Sequence, residues 1–239
     1  MRSSNPPSAD ASPTPRERAA GSLREPLTLA LLALTFGSGM VDAVSYLGLG
    51  RVFTANMTGN VVLLGFGIAG SGGLPVLPPV ISLGSFVLGA GVGGLLGTIL
   101  GHRDAFHVGA AWAFQATLLI CATILAAGVH LHAGSPSRDV VIGMLALAMG
   151  VQTATARRLA VPDLPTTVVT QTLTGLVADS RLFGDSGKGT TRRGSAVAAM
   201  LGGAVAGALL LKTSLVLALA MTGGLILLVQ LACLPAARR

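Results

Sequence analysis

The sequence is short of charged residues and of cysteine. Asp, Glu, Lys and Arg make up only 10% of its 239 residues, and apolar residues make up 51%. Soluble domains carry about 25% charged residues, so this deficit excludes an ordinary soluble domain and indicates an integral membrane protein. Cys121 and Cys233 both lie inside apolar runs, where we expect each to behave as a small hydrophobic side chain.

Histidine is also scarce, and the four histidines provide no convincing metal site. All of them flank apolar runs, and they are His102, His107, His130 and His132. The closest pair, His130 and His132, lacks a third ligand of the kind that zinc sites require. We therefore expect no metal and no other cofactor.

The positive net charge does not indicate a nucleic-acid partner. The formal charge is +7, but Lys and Arg occur in short groups between apolar runs. The positive-inside rule produces this placement, so membrane topology explains the charge better than a polyanion does. The expected partner is the lipid bilayer.

Six apolar runs predict an all-α fold, a polytopic transmembrane helical bundle. They cover residues 27–49, 76–100, 108–129, 140–156, 195–211 and 214–234. Each run, at 1.5 Å per residue, crosses or nearly crosses a hydrocarbon core of roughly 30 Å. A barrel would instead show alternating segments of about ten residues.

The remaining chain divides into a tail and two repeats. Residues 1–25 are rich in Ser, Pro and charge and predict a disordered tail. Residues 26–132 and 133–239 each contain three apolar runs and one short polar segment, at 52–69 and 166–183. Both segments carry the pattern T-x-x-[ML]-T-G, which indicates an internal duplication.

The two polar segments either cross the membrane, giving eight spans, or enter and leave on one side, giving six. With the N-terminus inside, six spans place more Lys and Arg in cytoplasmic loops, so the charge bias favours six. Both termini are then cytoplasmic. Three spans per half make the repeats inverted, with one re-entrant segment from each face, an arrangement that recurs in transporters.

Asp42 is the only carboxylate deep inside an apolar run. It lies four residues past the centre of run 27–49, about 6 Å along the helix. An aspartate at a helix centre costs roughly 2.5–3.5 kcal/mol on insertion scales, so we expect a compensating role. Either Asp42 couples to a proton or cation, or it bonds backbone that is broken at Gly37–Ser38–Gly39.

The first polar segment concentrates further candidates for a binding site. On a helix, Thr54 and Thr58 would share one face and Asn56 and Asn60 another, and both faces need protein or water beside them. They either lock the bundle by interhelical hydrogen bonds or line the path of a polar solute, with Gly59 allowing close approach.

The second half offers a similar but unequal set. The counterparts in its polar segment are Thr170, Thr174 and Gly175, and Gln152 supplies the polar content of the fifth run near where Asp42 falls in the first. An amide in place of a carboxylate leaves a single titratable group on the axis that relates the two halves, which suits one coupling site per molecule.

A strip of glycines at four-residue spacing marks the second apolar run. It consists of Gly89, Gly93, Gly97 and Gly101. Small residues at this spacing let helix backbones approach closely. The strip therefore predicts a helix-packing surface, and a homo-oligomer through it is a further prediction.

Three motifs together resemble the YoaK-like family of bacterial multi-pass membrane proteins, a domain of unknown function. They are G-x-x-D-A at Gly39, V-F-x-A-N-M-T-G-N at Val52, and M-G-x-Q-x-x-x-x-R at Met149. The resemblance runs from about residue 28 to 234. It implies a bacterial inner-membrane location and about six helices, and it brings no substrate or activity.

We expect a transporter or channel-like permease for a small solute or ion, with a polar site where the repeats meet. A structural or assembly protein without transport is the alternative. An enzyme is not expected, because intramembrane proteolysis needs a Ser/His pair or two aspartates at depth and only Asp42 is deep.

Overall fold

The computed structural model describes residues 15–99, 104–132, 134–158, 174 and 190–237. In these ranges the chain forms seven α-helices and one 3-10 turn, Ser71–Gly73. The helices are α1 Pro15–Gly48, α2 Met57–Ile68, α3 Leu77–Ile99, α4 Asp104–Gly128, α5 Pro136–Arg158, α6 Thr190–Leu211 and α7 Leu215–Ala237.

Six of these helices are long and apolar enough to cross a membrane, which confirms the predicted helical bundle. The spans are Thr28–Gly48, Leu77–Ile99, Phe106–Gly128, Pro136–Arg158, Arg193–Leu211 and Leu215–Ala232. Large apolar side chains on their outer faces, including Leu88, Leu95 and Leu201, are at least 60% exposed. An apolar surface of this kind suits contact with lipid.

The first helix begins earlier than the sequence suggested. α1 starts at Pro15, so residues 15–25 of the expected disordered tail are helical, and residues 1–14 lie outside the described part. Once a long apolar span has formed, extending it needs no new nucleus, and the Arg, Glu and Ala residues of this segment favour a helix. Proline is well tolerated in the first turn.

α1 and α5 form the centre of the bundle. Within the span windows, 67% of α1 and 56% of α5 is buried, against 22% of α3 and 17% of α6. α6 packs along α1 and α3 packs along α5, while α4 and α7 pack against each other and against α5 and α1 respectively. The polar groups carried by α1 and α5 are therefore shielded from lipid.

Glycines bring the paired helices into backbone contact. A Cβ atom on Gly203 would collide with the Phe36 carbonyl of α1, and one on Gly89 would collide with the Leu147 carbonyl of α5. This confirms the glycine strip as a packing surface, since Gly89, Gly93 and Gly97 are buried. Gly101 lies outside the described residues. Gly89, Gly93 and Gly97 lie against α5 of the same chain, and association of two copies through the strip stays a prediction.

Candidate functional site

The chain turns back into the bundle directly after α1. Gly50 and Arg51 both have positive φ, of 113° and 56°, and the Arg51 amide donates to the Tyr46 carbonyl at 3.0 Å. This turn sends residues 52–56 back along α1 to Asp42. Since Asp42 precedes the last residue of α1 by six positions, the loop returns by about 9 Å.

Asp42 holds the returning loop through one carboxylate oxygen. Oδ1 accepts hydrogen bonds from the amides of Ala55 at 2.7 Å, Thr54 at 2.9 Å and Asn56 at 3.3 Å. These amides lie just before α2, where the helix dipole favours a negative group. The other oxygen, Oδ2, is buried and has no hydrogen-bond partner.

The backbone that Asp42 bonds is not the one expected from sequence. α1 continues as a helix through residues 37–39, so the predicted break there is wrong. Gly37 and Gly39 instead make room for neighbours, the side chain of Ile226 and the backbone of α6. The irregular backbone that needed a partner follows Asp42 in the chain and does not precede it.

Two asparagines fix the ends of the loop. The Asn56 side chain caps α2 by accepting from the Gly59 amide at 3.3 Å. Asn60 is fully buried, and its amide accepts from the Phe53 N–H at 2.9 Å and donates to the Phe53 carbonyl at 2.7 Å. It also donates to Ser82 of α3 at 3.0 Å, so the loop is tied to α3 as well as to α1.

The expected pairing of Thr54 with Thr58 on one helical face is wrong. α2 begins only at Met57, because Asn56 caps it, so Thr54 belongs to the loop. Thr54 is fully buried and its hydroxyl donates to Ser45 at 3.4 Å, whereas Thr58 is exposed. Gly59 leaves space for the Phe53 ring, which would lie 2.7 Å from an added Cβ.

A cavity of about 320 Å³ lies between α1, the loop and α6. Its polar and aromatic lining comes from Asp42, Tyr46, Phe53 and Asn56, and α6 contributes Met200, Ala204 and Ala208. The rings of Tyr46 and Phe53 stack with centroids 4.8 Å apart and planes 20° apart. One wall of the cavity is thus polar and aromatic, and the other is smooth and apolar.

A second polar cluster crosses the middle of the bundle. Gln230 of α7 donates to Gln115 of α4 at 2.7 Å, and Gln115 donates to Gln152 of α5 at 2.6 Å. Gln152 then donates to the Ser38 hydroxyl of α1 at 3.1 Å. All four side chains are at least 95% buried. Ser38 is one turn before Asp42, so this chain of bonds ends close to the cavity.

Sequence reasoning singled out Gln152 but missed Gln115 and Gln230. Each is the only glutamine in its apolar run, and that isolation was the available signal. Of the second polar segment, Thr174 is described and is exposed. Thr170 and Gly175 lie outside the described residues, so the structure does not place them at this site.

The chain is similar to a protein family whose description names no activity. A family model described as "Protein of unknown function (DUF1275)" matches residues 30–232. The UPF0700 transmembrane protein YoaK of Bacillus subtilis (strain 168) is 35% identical over 178 residues, which cover 72% of this chain and 75% of that protein. No solved structure matches. The chain, a multi-pass membrane protein, therefore belongs to the DUF1275 family.

Proposed function

We propose that this protein is a non-enzymatic permease for a small solute or ion in the bacterial inner membrane, with both termini cytoplasmic. The observation that carries the proposal is Asp42, a deeply buried carboxylate with one unpaired oxygen beside a cavity. Intramembrane carboxylates are costly, and they typically mark substrate or ion pathways.

The depth of Asp42 supports this role. The span Thr28–Gly48 is centred on Ser38, so Asp42 lies about 6 Å from the centre along the helix. The returning loop brings the N-terminus of α2 to this level. Transporter sites commonly form where the end of a short helix and unwound backbone meet near the membrane midplane.

The course of α2 supports a re-entrant segment. Asn60, near its start, bonds Ser82 of α3, and Gly67, near its end, lies against Val76 just before α3. α2 therefore runs antiparallel to α3 and ends where α3 begins. Its 12 residues cover about 18 Å, which is too short to cross the hydrocarbon core.

The packing contacts support inverted repeats. Phe36 and Leu147 are 111 positions apart, as are Gly39 and Gly150, and they make matching backbone contacts. The residues that they contact, on α6 in one pair and on α3 in the other, are in turn 114 positions apart in the chain. These matched contacts are Gly203 with Phe36 and Gly89 with Leu147, then Gly39 with Met200 and Gly150 with Phe86, then Gly207 with Met40 and Gly93 with Val151. Exchanging the halves thus converts the α1/α6 pair into the α5/α3 pair.

These pairs are the moving parts of the proposed mechanism. Backbone contacts at glycine hold α1 to α6 and α3 to α5. Between the two pairs, Gln152 donates a hydrogen bond to Ser38 and Ser82 donates one to the Phe53 carbonyl, while α4 and α7 pack against each other. Rocking one pair against the other would open the Asp42 cavity to alternate sides.

An assembly protein without transport is the alternative, and a specific observation favours it. The three amide bonds to Asp42 and the bonds of Asn60 all hold the loop in place, which is a structural task. The two functions differ in whether the charge of Asp42 is needed.

Charge movement in liposomes tests the proposal. Purified protein is reconstituted on a solid-supported membrane and exposed to concentration jumps of H⁺, Na⁺, K⁺ and alkylammonium ions. We expect a transient current that is lost in Asp42→Asn, which keeps an oxygen for the loop amides. Asp139→Asn, which removes a carboxylate at the start of α5, should leave the current unchanged. Currents of equal size in wild type and Asp42→Asn would reject this role of Asp42.

A further inference from the structure

We propose that the Asp42 cavity binds a monovalent organic cation, a small alkylammonium group with an apolar body. This inference rests on the proposed function, because it names the substrate class of the same site. Its basis is a cavity lined by Asp42, whose Oδ2 is buried and unpaired, by the aromatic pair Tyr46 and Phe53 and by an apolar wall.

The charge of the cavity favours a cation. Asp42 is 95% buried, and none of the described residues that line the cavity is basic. Arg138, a buried cation of α5, instead contacts Gly50 and pairs with Asp139 at 3.4 Å. The loop amides all bind Oδ1, so Oδ2 remains as the acceptor for an N–H donor of a ligand.

The aromatic pair strengthens the same preference. Tyr46 and Phe53 both line the cavity, and the face of an aromatic ring attracts ammonium groups within about 6 Å. Met200 adds a polarizable thioether that adapts to the shape of an apolar ligand. A carboxylate combined with aromatic faces is a typical environment for recognising amines.

The rest of the lining argues against a metal ion or an anion. A divalent cation that has lost its water requires about six oxygen ligands, and among the described lining residues only Asp42, Asn56 and Tyr46 carry side-chain oxygens. An anion would be repelled by Asp42. The volume of about 320 Å³ is at the lower end of ligand pockets, which fits an amine of a few carbons.

Isothermal titration calorimetry on the full-length protein in detergent micelles tests the site. The probes are butylammonium, the neutral 1-butanol and the anion butyrate, with NaCl as a salt control. We expect wild-type protein to bind butylammonium only. Binding should weaken roughly tenfold to a hundredfold in Asp42→Asn, because a charge-assisted hydrogen bond is lost. Asp139→Asn should bind like the wild type.

A second variant keeps the test decisive if Asp42→Asn fails to fold. Ala208→Leu fills the cavity from the α6 side and leaves Asp42 and its loop bonds intact, and it should abolish binding. Equal binding of butylammonium and 1-butanol, or binding that survives in Ala208→Leu, would overturn the inference. Amine binding without any Asp42-dependent current would reject the permease function but keep the amine site. Na⁺ or H⁺ currents without amine binding would reject the amine site but keep the permease function.

Discussion

Replacing Gly150 by alanine tests the close contact between α5 and α3. The added Cβ would collide with the Phe86 carbonyl and would lie 2.8 Å from the Ala90 amide nitrogen. Cβ atoms essentially never approach another heavy atom within 3.0 Å, and backbone cannot rotate away as a side chain does. The helices must separate, and overpacking of this kind costs about 2–3 kcal/mol.

Gly94→Ala is the matched control on the open face of α3. No atom lies within 4 Å of its added Cβ, so the change should be neutral or stabilise by roughly 0.5–1 kcal/mol through helix propensity. The two variants should therefore differ by about 3 kcal/mol. Gly39→Ala, which collides with the Met200 carbonyl, should resemble Gly150→Ala if the halves are equivalent.

The assay is SDS-induced unfolding in mixed micelles, followed by the fluorescence of Trp112. This is the only tryptophan in the chain, and it is buried on α4, so its emission reports loss of packing. Equal stability of Gly150→Ala and Gly94→Ala would refute the reasoning, since it would mean that the helices do not meet at Gly150. A Gly39→Ala protein as stable as the wild type would contradict the equivalence of the two halves.

Three further predictions concern the loop, the glutamines and the topology. Asn60→Ala should destabilise the protein by about 2–3 kcal/mol in the same assay, because it removes the acceptor of the Phe53 N–H and one of the two donors to the Phe53 carbonyl, the other being Ser82. Thr98→Ala, at an exposed position, should change stability little. Gln115→Leu should cost about 1–3 kcal/mol because it leaves the side-chain N–H group of Gln230 and the side-chain oxygen of Gln152 without their partner. Replacing Gln115, Gln152 and Gln230 together should cost less than the sum of the single changes. Topology can be tested with single cysteines placed at position 71, 105 or 186 in a Cys121→Ser, Cys233→Ser background. An impermeant thiol reagent on intact cells should label the cysteine at 71 but not those at 105 and 186. Labelling at 105 with protection at 71 would reject the six-span topology.

The spans, and the need of Asp42 for polar partners inside the bundle, could be predicted from sequence because both depend on local composition. Hydropathy alone determines which segments favour lipid, and a lone carboxylate in an apolar run stands out whatever surrounds it. The partner of Asp42 could not be predicted, because it depends on a turn at Gly50 and Arg51 that returns the chain into the bundle.

Other features depended on contacts between distant residues. The pattern at Thr54 and Thr58 suggested one helical face, but the Asn56 cap starts α2 later and removes Thr54 from it. Gln115 and Gln230 each resemble a single tolerated polar residue, and their role appears only when α4, α5 and α7 come together. The glycine strip predicted close packing but could not identify α5 as its partner.

The pairing of α1 with α6 has a consequence for how the protein is made. More than 140 positions separate α1 from the start of α6, and the described part of that stretch includes the four helices α2 to α5. Until α6 arrives, the smooth glycine face of α1 and the cavity wall that carries Asp42 lack their cover. A chain interrupted after α5 therefore leaves this face of its central helix uncovered in the membrane until synthesis is complete.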